Sequence, residues 1–426
     1  GRGGFSGTFQ QPLISDPGIP AELALTALNV VGGSVVPTIA AKSSSMGLPI
    51  NIQYQGIYNN LGIPGAGVHD LVAVTGDATQ LQADAVKYAM GQISTAQLFA
   101  DIVLRFPVLP GTTTPATALA QAIGAQGTFY TVEVGGDDVI DAVETGVVLD
   151  GVTMTTTANF QADYTTLLGA IRQQRPSAGI VVMNLTDETL WPFCTTIKPY
   201  VVGSTGAHIP LLGENGPLTE QDLVTLPASA LIAQGYGIPG TGRLLPEGSI
   251  DQAGLHAGVI IRAAERAAIR ARIGELNQVI STVANGVGAK VWDINTLWDQ
   301  VVAGTYVLGG VPVSSAFLTG GMIGYDGIHP TDLGYAVMAN DLVKTVNAQF
   351  GSKLPLVNLL PFLTGGATAG ATSVAAANVV MSQEAAVAIV KSSVPGVLTD
   401  KLETGHTVHR RLTARTDHGV IDPPNP

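Results

Sequence analysis

Apolar and polar segments alternate along most of the chain as expected for strands that are followed by helices. Residues 128–134 form a β-branched and aromatic run typical of a buried strand, and two glycines then predict a turn. Further strands are predicted from the apolar runs that begin at residues 178 and 289. Helices are predicted for residues 159–176 and, ending at a glycine, for residues 256–286. This alternation indicates an α/β fold with a parallel sheet covered on both faces.

The two ends of the chain show a different pattern. The N-terminal stretch to about residue 50 is punctuated by Gly, Pro and Ser, so we expect loops with short helices there. Residues 50–67 predict a strand that runs into a Gly-rich turn, and a helix should begin after it. Residues 1–355 then form one predicted domain, and residues 356–426 predict a low-complexity linker, a short helix and a polar tail.

Composition and charge exclude several classes of protein. Hydrophobic residues make up 46% of the 426 positions and charged residues 12%, which is ample material for a core. The formal charge of −12 makes nucleic acid an unfavourable partner, since an acidic surface repels phosphates. Cys194 is the single cysteine, so neither a disulfide framework nor a Cys-based metal site is expected. No apolar run is long enough to span a bilayer, and no signal peptide is visible.

An aspartate and a histidine lie three residues apart just before the last long predicted helix. Gly327 separates Asp326 from His329 in the sequence "DGIHP", so both side chains can turn toward one pocket. A catalytic histidine needs a carboxylate that holds its tautomer and stabilises the imidazolium. In the simpler interpretation Asp326 caps a turn and His329 packs at a helix start. The position of the pair at the end of an α/β series favours the acid–base interpretation.

Two Gly-rich loops are candidates for a second part of such a site. "NLGIPGAG" contains Gly65, whose backbone N–H could point at a developing oxyanion, although an ordinary strand-to-helix turn is the alternative. "VGGDD" contains Asp137, and the alternative is that Asp137 and Asp138 cap the helix after them. There is no GxSxG elbow, P-loop or HExxH sequence, and "GYGIPG" lacks the helix that a dinucleotide-binding loop requires. We therefore expect neither a metal nor an organic cofactor.

Taken in this order, the three loops resemble the blocks of the SGNH (GDSL-type) hydrolase family. The resemblance covers roughly residues 5–355 and extends to a group of bacterial, exported proteins of that family. It implies a flavodoxin-like three-layer α/β/α sandwich and ester hydrolysis by a Ser-His-Asp triad. His329 would be the base and Asp326 its orienting carboxylate, with Gly65 and Asp137 at the oxyanion hole. The implied substrate is a small ester, a lipid or an acylated carbohydrate, and the implied location is extracytoplasmic.

The chain departs from the family pattern at two places. The GDS or GNS serine that follows the first strand is missing, and Ser6 lacks the right flanks. We therefore expect the serine, the first strand and any export signal to lie upstream, so the chain as printed should be inactive. Asp137 stands where the family has an asparagine, and a carboxylate helps an oxyanion only when it is protonated. A non-catalytic binding protein on the same fold, or an unrelated α/β protein, are the alternatives.

Overall fold

A computed structural model describes residues 8–31, 34–365 and 379–404 of the chain. Its helices are α1 (Val68–Ala73), α2 (Leu81–Ala89), α3 (Thr95–Val103), α4 (Ala118–Gly124), α5 (Ile140–Thr145), α6 (Thr157–Gln174), α7 (Pro192–Thr195), α8 (Ala228–Ala233), α9 (Ala263–Gly286), α10 (Ile294–Val302), α11 (Asp332–Phe350), α12 (Leu360–Gly365), α13 (Gln383–Ser393) and α14 (Asp400–Thr404). In the described ranges, no helix combines the length and the apolar character needed to cross a bilayer.

The strands in the same ranges are mostly short. They are β1 (Leu23–Val31), β2 (Ser34–Ala41), β3 (Phe129–Val132), β4 (Gly179–Met183), β5 (Tyr200–Val202), β6 (His208–Pro210), β7 (Leu212–Gly213), β8 (Gly216–Pro217), β9 (Leu223–Val224), β10 (Ser249–Asp251), β11 (Gly254–His256), β12 (Ile260–Ile261), β13 (Lys290–Trp292), β14 (Val307–Leu308), β15 (Val311–Pro312) and β16 (Val380–Met381).

A parallel sheet forms from the three strands that the sequence predicted most clearly. Its order is β13–β4–β3, and Val182 in the middle strand is opposite both Val132 and Val291. The central strand is apolar at consecutive positions, which is expected when both faces of a parallel strand are buried. The predicted α/β class with parallel strands is therefore confirmed.

Alternate residues of β4 pack into different hydrophobic clusters. Ile180 and Val182 belong to the largest cluster, which also contains the buried faces of α6 and α9. Val181 belongs to a cluster with buried residues of α10 and α11. Period-two alternation along the strand thus buries side chains on both sides of the sheet. The flavodoxin-like sandwich as a whole, and a further first strand, stay predictions.

The long helices begin where side-chain caps are available. Thr156 accepts a hydrogen bond from the Asn159 N–H at the start of α6, and Thr331 accepts one from the Gly334 N–H at the start of α11. Helix α6 buries a single stripe of apolar residues against the core: Phe160, Tyr164, Leu167, Leu168 and Ile171. Helices predicted for residues 159–176 and 256–286 are confirmed as α6 and α9, although α9 starts seven residues later than the pattern suggested.

The N-terminal part differs from the expectation of loops and short helices. Strands β1 and β2 form an antiparallel hairpin that runs from the Leu23–Ala41 pair to the Val31–Ser34 pair, with a bulge after Leu25. Residues 50–67 contain turns and irregular backbone instead of the predicted strand. Short β-branched and aromatic runs form strands only where a neighbour supplies backbone partners, and residues 50–67 have no such neighbour among the described strands.

Residues 379–404 pack against the preceding part of the chain. Strand β16 pairs in parallel with β2, and Met381 lies fully buried in the largest hydrophobic cluster. The short helix predicted in this region is confirmed as α13. Most of the predicted linker and the polar tail lie outside the described residues. The domain boundary at residue 355 stays a prediction.

Two glycines end helices in the same left-handed conformation but in different surroundings. Gly146 after α5 has a φ of +63°, and a Cβ there would lie 2.7 Å from the Ile260 carbonyl oxygen. Gly351 after α11 has a φ of +64° and open space around it. We expect Gly351→Ala to cost about 1 kcal/mol, the left-handed penalty for an L residue. Gly146→Ala should cost at least about 1 kcal/mol more, because backbone must shift to relieve the contact.

Urea unfolding of both variants would measure this difference in the free energy of unfolding. Equal losses in the two variants would contradict the close approach of α5 to β12.

Candidate active site

The Asp326–His329 loop brings the predicted acid–base pair into direct contact. Nδ1 of His329 lies 2.7 Å from Oδ2 of Asp326. Oδ1 of Asp326 accepts hydrogen bonds from the backbone N–H groups of Ile328 and His329, both at 2.9 Å. Both oxygens of one carboxylate are therefore occupied by its own loop. The contact fixes the orientation of the imidazole ring.

Gly327 allows this loop to approach helix α7 closely. Its φ is +77°, and a Cβ at this position would lie 2.7 Å from the Phe193 backbone nitrogen. The Phe193 N–H donates a hydrogen bond to the Gly327 carbonyl oxygen at 2.9 Å. The loop is thus anchored on a buried part of the molecule, while Thr331 caps the helix that follows it.

The imidazole of His329 is positioned to exchange a proton with a substrate or a nucleophile. The hydrogen bond that Nδ1 of His329 donates to Asp326 outweighs the desolvation by neighbouring protein atoms and raises the pKa of His329 above its usual value. Burial opposes the ionisation of Asp326, but the hydrogen bonds from His329 and the loop hold the pKa of Asp326 below its usual value. The His329 side chain is 70% exposed, and no hydrogen bond to its Nε2 occurs among the described residues. A carboxylate-oriented histidine with a free outer nitrogen can act as a general base.

Asp138 joins the two Gly-rich loops. Its carboxyl oxygen Oδ2 accepts a hydrogen bond of 2.9 Å from the Val68 N–H at the start of α1. A Cβ on Gly67 would lie 3.2 Å from the other carboxyl oxygen. The backbone of Gly67 therefore packs closely against the Asp138 carboxyl. The sequence suggested that Asp137 and Asp138 cap the helix after them. That interpretation is wrong for Asp138. Helix α5 begins after Val139 without a side-chain cap, and Asp138 accepts its hydrogen bond from the start of α1, 70 residues earlier.

Asp137 lies close enough to His329 for their charges to interact. Burial, together with the charge of Asp138, raises the pKa of Asp137 to about 7, and the charge of His329 lowers it. In turn, Asp137 helps to raise the pKa of His329. The structure thereby brings Asp137, Asp326 and His329 to one place. A carboxyl with a pKa near neutrality can be a hydrogen-bond donor in part of the population.

Gly65 lies beside the start of helix α3. Its φ is +78°, and a Cβ there would lie 3.2 Å from the Ala96 backbone nitrogen and 3.3 Å from Thr95 Cβ. The backbone hydrogen bonds of the described chain leave the Gly65 N–H without an acceptor. No hydrogen bond joins Gly65 to His329 in these ranges. Gly65 lies in the same loop as Gly67, whose backbone packs against the Asp138 carboxyl.

Three acids near Asp137, of which Glu144 and Glu188 are buried, were missed by sequence reasoning. Burial and the charges of Asp137 and Asp138 raise the pKa of Asp141 to about 8. Burial raises the pKa of Glu144 and of Glu188 well above the usual value, and one oxygen of each carboxyl, Oε2, has no hydrogen-bond partner in the described part of the chain. Asp141 and Glu144 lie three residues apart in the mostly apolar "VIDAVETG". Acids within such an apolar run were the sequence signal for burial.

This set of carboxyls does not form a metal site. Within residues 8–31, 34–365 and 379–404, no group of three or more His, Cys, Asp or Glu side chains is arranged to hold a metal ion. Protonation is the remaining way for buried carboxyls to avoid an uncompensated charge.

The chain belongs to the GDSL-like lipase/acylhydrolase family, whose pattern it matches over residues 38–342. No curated protein sequence matches it. Among solved structures it is similar to a protein from Parabacteroides merdae that is described as a GDSL-like lipase, with 11% identity and a TM-score of 0.26. That match covers 53% of this chain and 63% of the other, so the chain spans less than two thirds of that protein.

Two lipolytic enzymes from Streptomyces are also similar. An extracellular lipase from Streptomyces rimosus has 16% identity and a TM-score of 0.25, with 54% of this chain and 74% of that one covered. Phospholipase A1 from Streptomyces albidoflavus has 17% identity and a TM-score of 0.23, with 52% and 69% covered. Membership of the family rests on the match over residues 38–342.

The buried Glu188 should make the stability of the protein depend on pH. A carboxyl whose pKa is raised by folding stabilises the fold fully below its unfolded pKa of about 4.5, and this contribution is lost as pH rises toward the folded pKa. We expect Glu188→Gln to equal the parent in stability near pH 4.5. At higher pH the variant should gain on the parent by up to about 1.4 kcal/mol per pH unit, the slope for one proton.

Thermal or urea unfolding from pH 4.5 to 8.5 would measure this gain. Glu220→Gln, at an exposed position, is the matched control and should show no such trend. A constant difference between Glu188→Gln and the parent at all pH values would contradict a protonated Glu188.

Proposed function

We propose that this protein is a serine ester hydrolase in which His329 is the general base and Asp326 its orienting carboxylate. The observation that carries the proposal is the 2.7 Å contact between these residues, with the outer imidazole nitrogen exposed. Membership of the GDSL-like lipase/acylhydrolase family supports ester chemistry. The free Gly65 N–H is proposed as a backbone donor to the oxyanion.

The nucleophile is proposed to be a serine upstream of residue 1. Support comes from the site itself, since no described serine is hydrogen-bonded to His329. The edge of β3 adds support, because β3 pairs only with β4 among the described strands and Phe129 on it is 40% exposed. A further strand beside β3 would extend the parallel sheet toward the proposed flavodoxin-like sandwich. It would also bring a strand end near Asp137, where a serine could meet His329.

In the proposed cycle, Nε2 of His329 takes the hydroxyl proton of the serine while its oxygen attacks the acyl carbon of the ester. The tetrahedral oxyanion collapses, the bond to the alcohol oxygen breaks, and the His329 imidazolium returns the proton to the leaving alcohol. Water, deprotonated by His329, then attacks the acyl carbon of the acyl-serine; the bond to the serine oxygen breaks, the imidazolium returns the proton to that oxygen, and a carboxylic acid is released. Asp326 stabilises the imidazolium in both halves without itself taking up the proton.

Asp137 has a defined role in this proposal. Its protonated form donates a hydrogen bond to the oxyanion, in place of the amide that the family pattern has there. The buried and acidic surroundings favour the protonated form, with a pKa of about 7. The ionised form would repel the oxyanion and remove a donor, and loss of one such donor commonly costs about 10²–10³ in rate.

The proposed substrates are small esters, lipids or acylated carbohydrates. Family membership supports this class without selecting among its members. An extracytoplasmic location is also proposed, and its support is the resemblance of "DGIHPT" and neighbouring residues to exported proteins.

Asp137 also favours a second candidate function, the binding of an acylated glycan or lipid without turnover. A carboxylate at this position opposes catalysis whenever it is ionised. Binding of such a ligand without release of acid would support this alternative.

Labelling with a fluorophosphonate probe tests whether the site contains an activated serine. We expect no labelling of residues 1–426 alone. We expect labelling of one serine upstream of residue 1 in a chain extended by its upstream coding sequence, and at least tenfold less in His329→Ala. His69→Ala is the matched control, since His69 is also exposed and lies 3.0 Å from a carboxylate.

Mass spectrometry of the labelled peptide separates the possible results. Labelling of a serine within residues 1–426 that is lost in His329→Ala would contradict the upstream nucleophile. Continued absence of labelling in the extended chain would favour the binding function.

The pH dependence of ester turnover tests the role of Asp137. In the extended chain, the parent should lose activity as pH rises through about 7, because Asp137 ionises and stops donating. Asp137→Asn stays neutral, so the ratio of its kcat/KM to that of the parent should rise by up to about tenfold per pH unit above 7. A ratio that is constant from pH 6 to 9 would show that Asp137 does not face the oxyanion.

A further inference from the structure

A second buried histidine lies between two carboxylates outside the candidate active site. Nδ1 of His256 is 2.9 Å from Oδ1 of Asp400, and Nε2 is 3.2 Å from Oδ1 of Asp251. The imidazole is only 6% exposed, whereas the Asp251 side chain is 52% exposed. His256 ends β11, Asp251 ends β10, and Asp400 begins α14.

These contacts require a charged imidazole. An ionised carboxylate can only accept a hydrogen bond, so both ring nitrogens of His256 must donate at the same time. Only the imidazolium has a proton on both nitrogens. Burial of the ring disfavours this charge, but the hydrogen bonds to Asp400 and Asp251 outweigh it and raise the pKa of His256 above its usual value.

His256 holds the last part of the described chain, residues 396–404, here named the latch. Beside the imidazole, the Leu398 N–H donates to the Leu255 carbonyl oxygen at 2.8 Å, and the Ala257 N–H donates to the Leu398 carbonyl oxygen at 3.0 Å. The latch therefore adds a short β-type contact on either side of His256.

Other charges around the latch form separate pairs. Lys401 is buried and donates to Glu214 at 2.9 Å and to the Glu247 carbonyl oxygen at 2.7 Å. Glu403 lies 3.6 Å from Lys391 on α13. Asp251 from the β10–β11 hairpin and Asp400 from α14 are thus the carboxylates paired with the imidazole.

The latch buries few apolar side chains. Val397 and Leu402 are its buried apolar side chains, and both belong to the second hydrophobic cluster. Met381, Ala385 and Ala386, which precede the latch, lie in the largest cluster and hold β16 and α13 in place. A short segment with little buried apolar area opens at a lower free energy than the global unfolding.

We propose that the latch is a pH-sensitive closure, held shut by the imidazolium of His256 between Asp251 and Asp400 and released when His256 loses its proton. Loss of the Nε2 proton leaves the Asp251 carboxylate facing an unprotonated nitrogen, and the bond from Nδ1 to Asp400 then comes from a neutral ring and is weaker. The latch also forms part of a groove of about 560 Å³ that Glu403 lines together with Tyr88, Val387 and Lys391. Release of the latch would widen this groove as pH rises.

The direction of the pH dependence of latch opening follows from the raised pKa of His256. A raised folded pKa stabilises the closed latch fully below the ordinary pKa of 6.5, and the stabilisation is lost as pH rises toward the folded pKa. Within that window, the opening constant should rise by up to about tenfold per pH unit, the slope for one proton.

Hydrogen–deuterium exchange of the full chain from pH 5.5 to 9 tests the proposal. At each pH, the exchange rate of amides in residues 396–404 is divided by the intrinsic rate of the same amides in an unstructured peptide, which removes the intrinsic effect of pH on exchange. We expect this ratio to be flat below about pH 6.5 and to rise above it, at up to tenfold per pH unit.

Three variants complete the experiment. His256→Gln should exchange rapidly in the latch at every pH, with no pH dependence. Asp251→Asn, at a half-exposed position, should keep the fold and move the rise to lower pH, because one charged partner is gone. His208→Gln is the matched control, since His208 pairs with Glu220 at an exposed position, and it should behave like the parent.

A ratio that does not change with pH in the parent would overturn the proposal. A rise that persists unchanged in both His256→Gln and Asp251→Asn would also overturn it, since another group would then control the opening.

Discussion

The hydrogen bond from the Val68 N–H to the buried carboxyl of Asp138 holds the two Gly-rich loops of the candidate active site together. It joins the start of α1 to the loop after β3, two segments that are far apart in the chain. Through it the Gly-rich loop lies beside Asp137, and Asp137 in turn interacts with His329. A helix start leaves backbone N–H groups unpaired, and a buried carboxyl needs donors, so each satisfies the other. The position of the Gly-rich loop beside Asp138 depends on this mutual requirement.

The same region concentrates acidic groups that are buried or partly buried. Asp137, Asp141, Glu144 and Glu188 all have pKa values raised by burial and by neighbouring acids. A fold tolerates such groups when they remain protonated, and the cost appears as loss of stability at higher pH. In an ester hydrolase this arrangement would also keep a proton available next to the oxyanion. The physical feature that weakens the fold at alkaline pH is therefore the one that gives Asp137 its proposed role.

His256 and His329 show how burial gives one residue type different functions. His329 has one carboxylate partner and an exposed ring, so its second nitrogen is free for chemistry. His256 is buried between two carboxylates, so both nitrogens are occupied and the ring can only hold structure together. In the sequence, His329 was recognised by its position three residues after Asp326. His256 gave no such signal, because Asp400 lies 144 residues away.

Local sequence determined the features that depend on neighbouring residues. Three such features have partners within a few positions and were predictable. They are the β-branched run before Gly135, the caps of α6 and α11, and the contact within the Asp326–His329 loop. The tertiary structure alone decided that β1 and β2 form a hairpin and that Asp138 caps a distant helix. It also decided which acids are buried. Pairing, burial and the resulting pKa values depend on contacts between residues far apart in the chain, and local pattern carries no information about them.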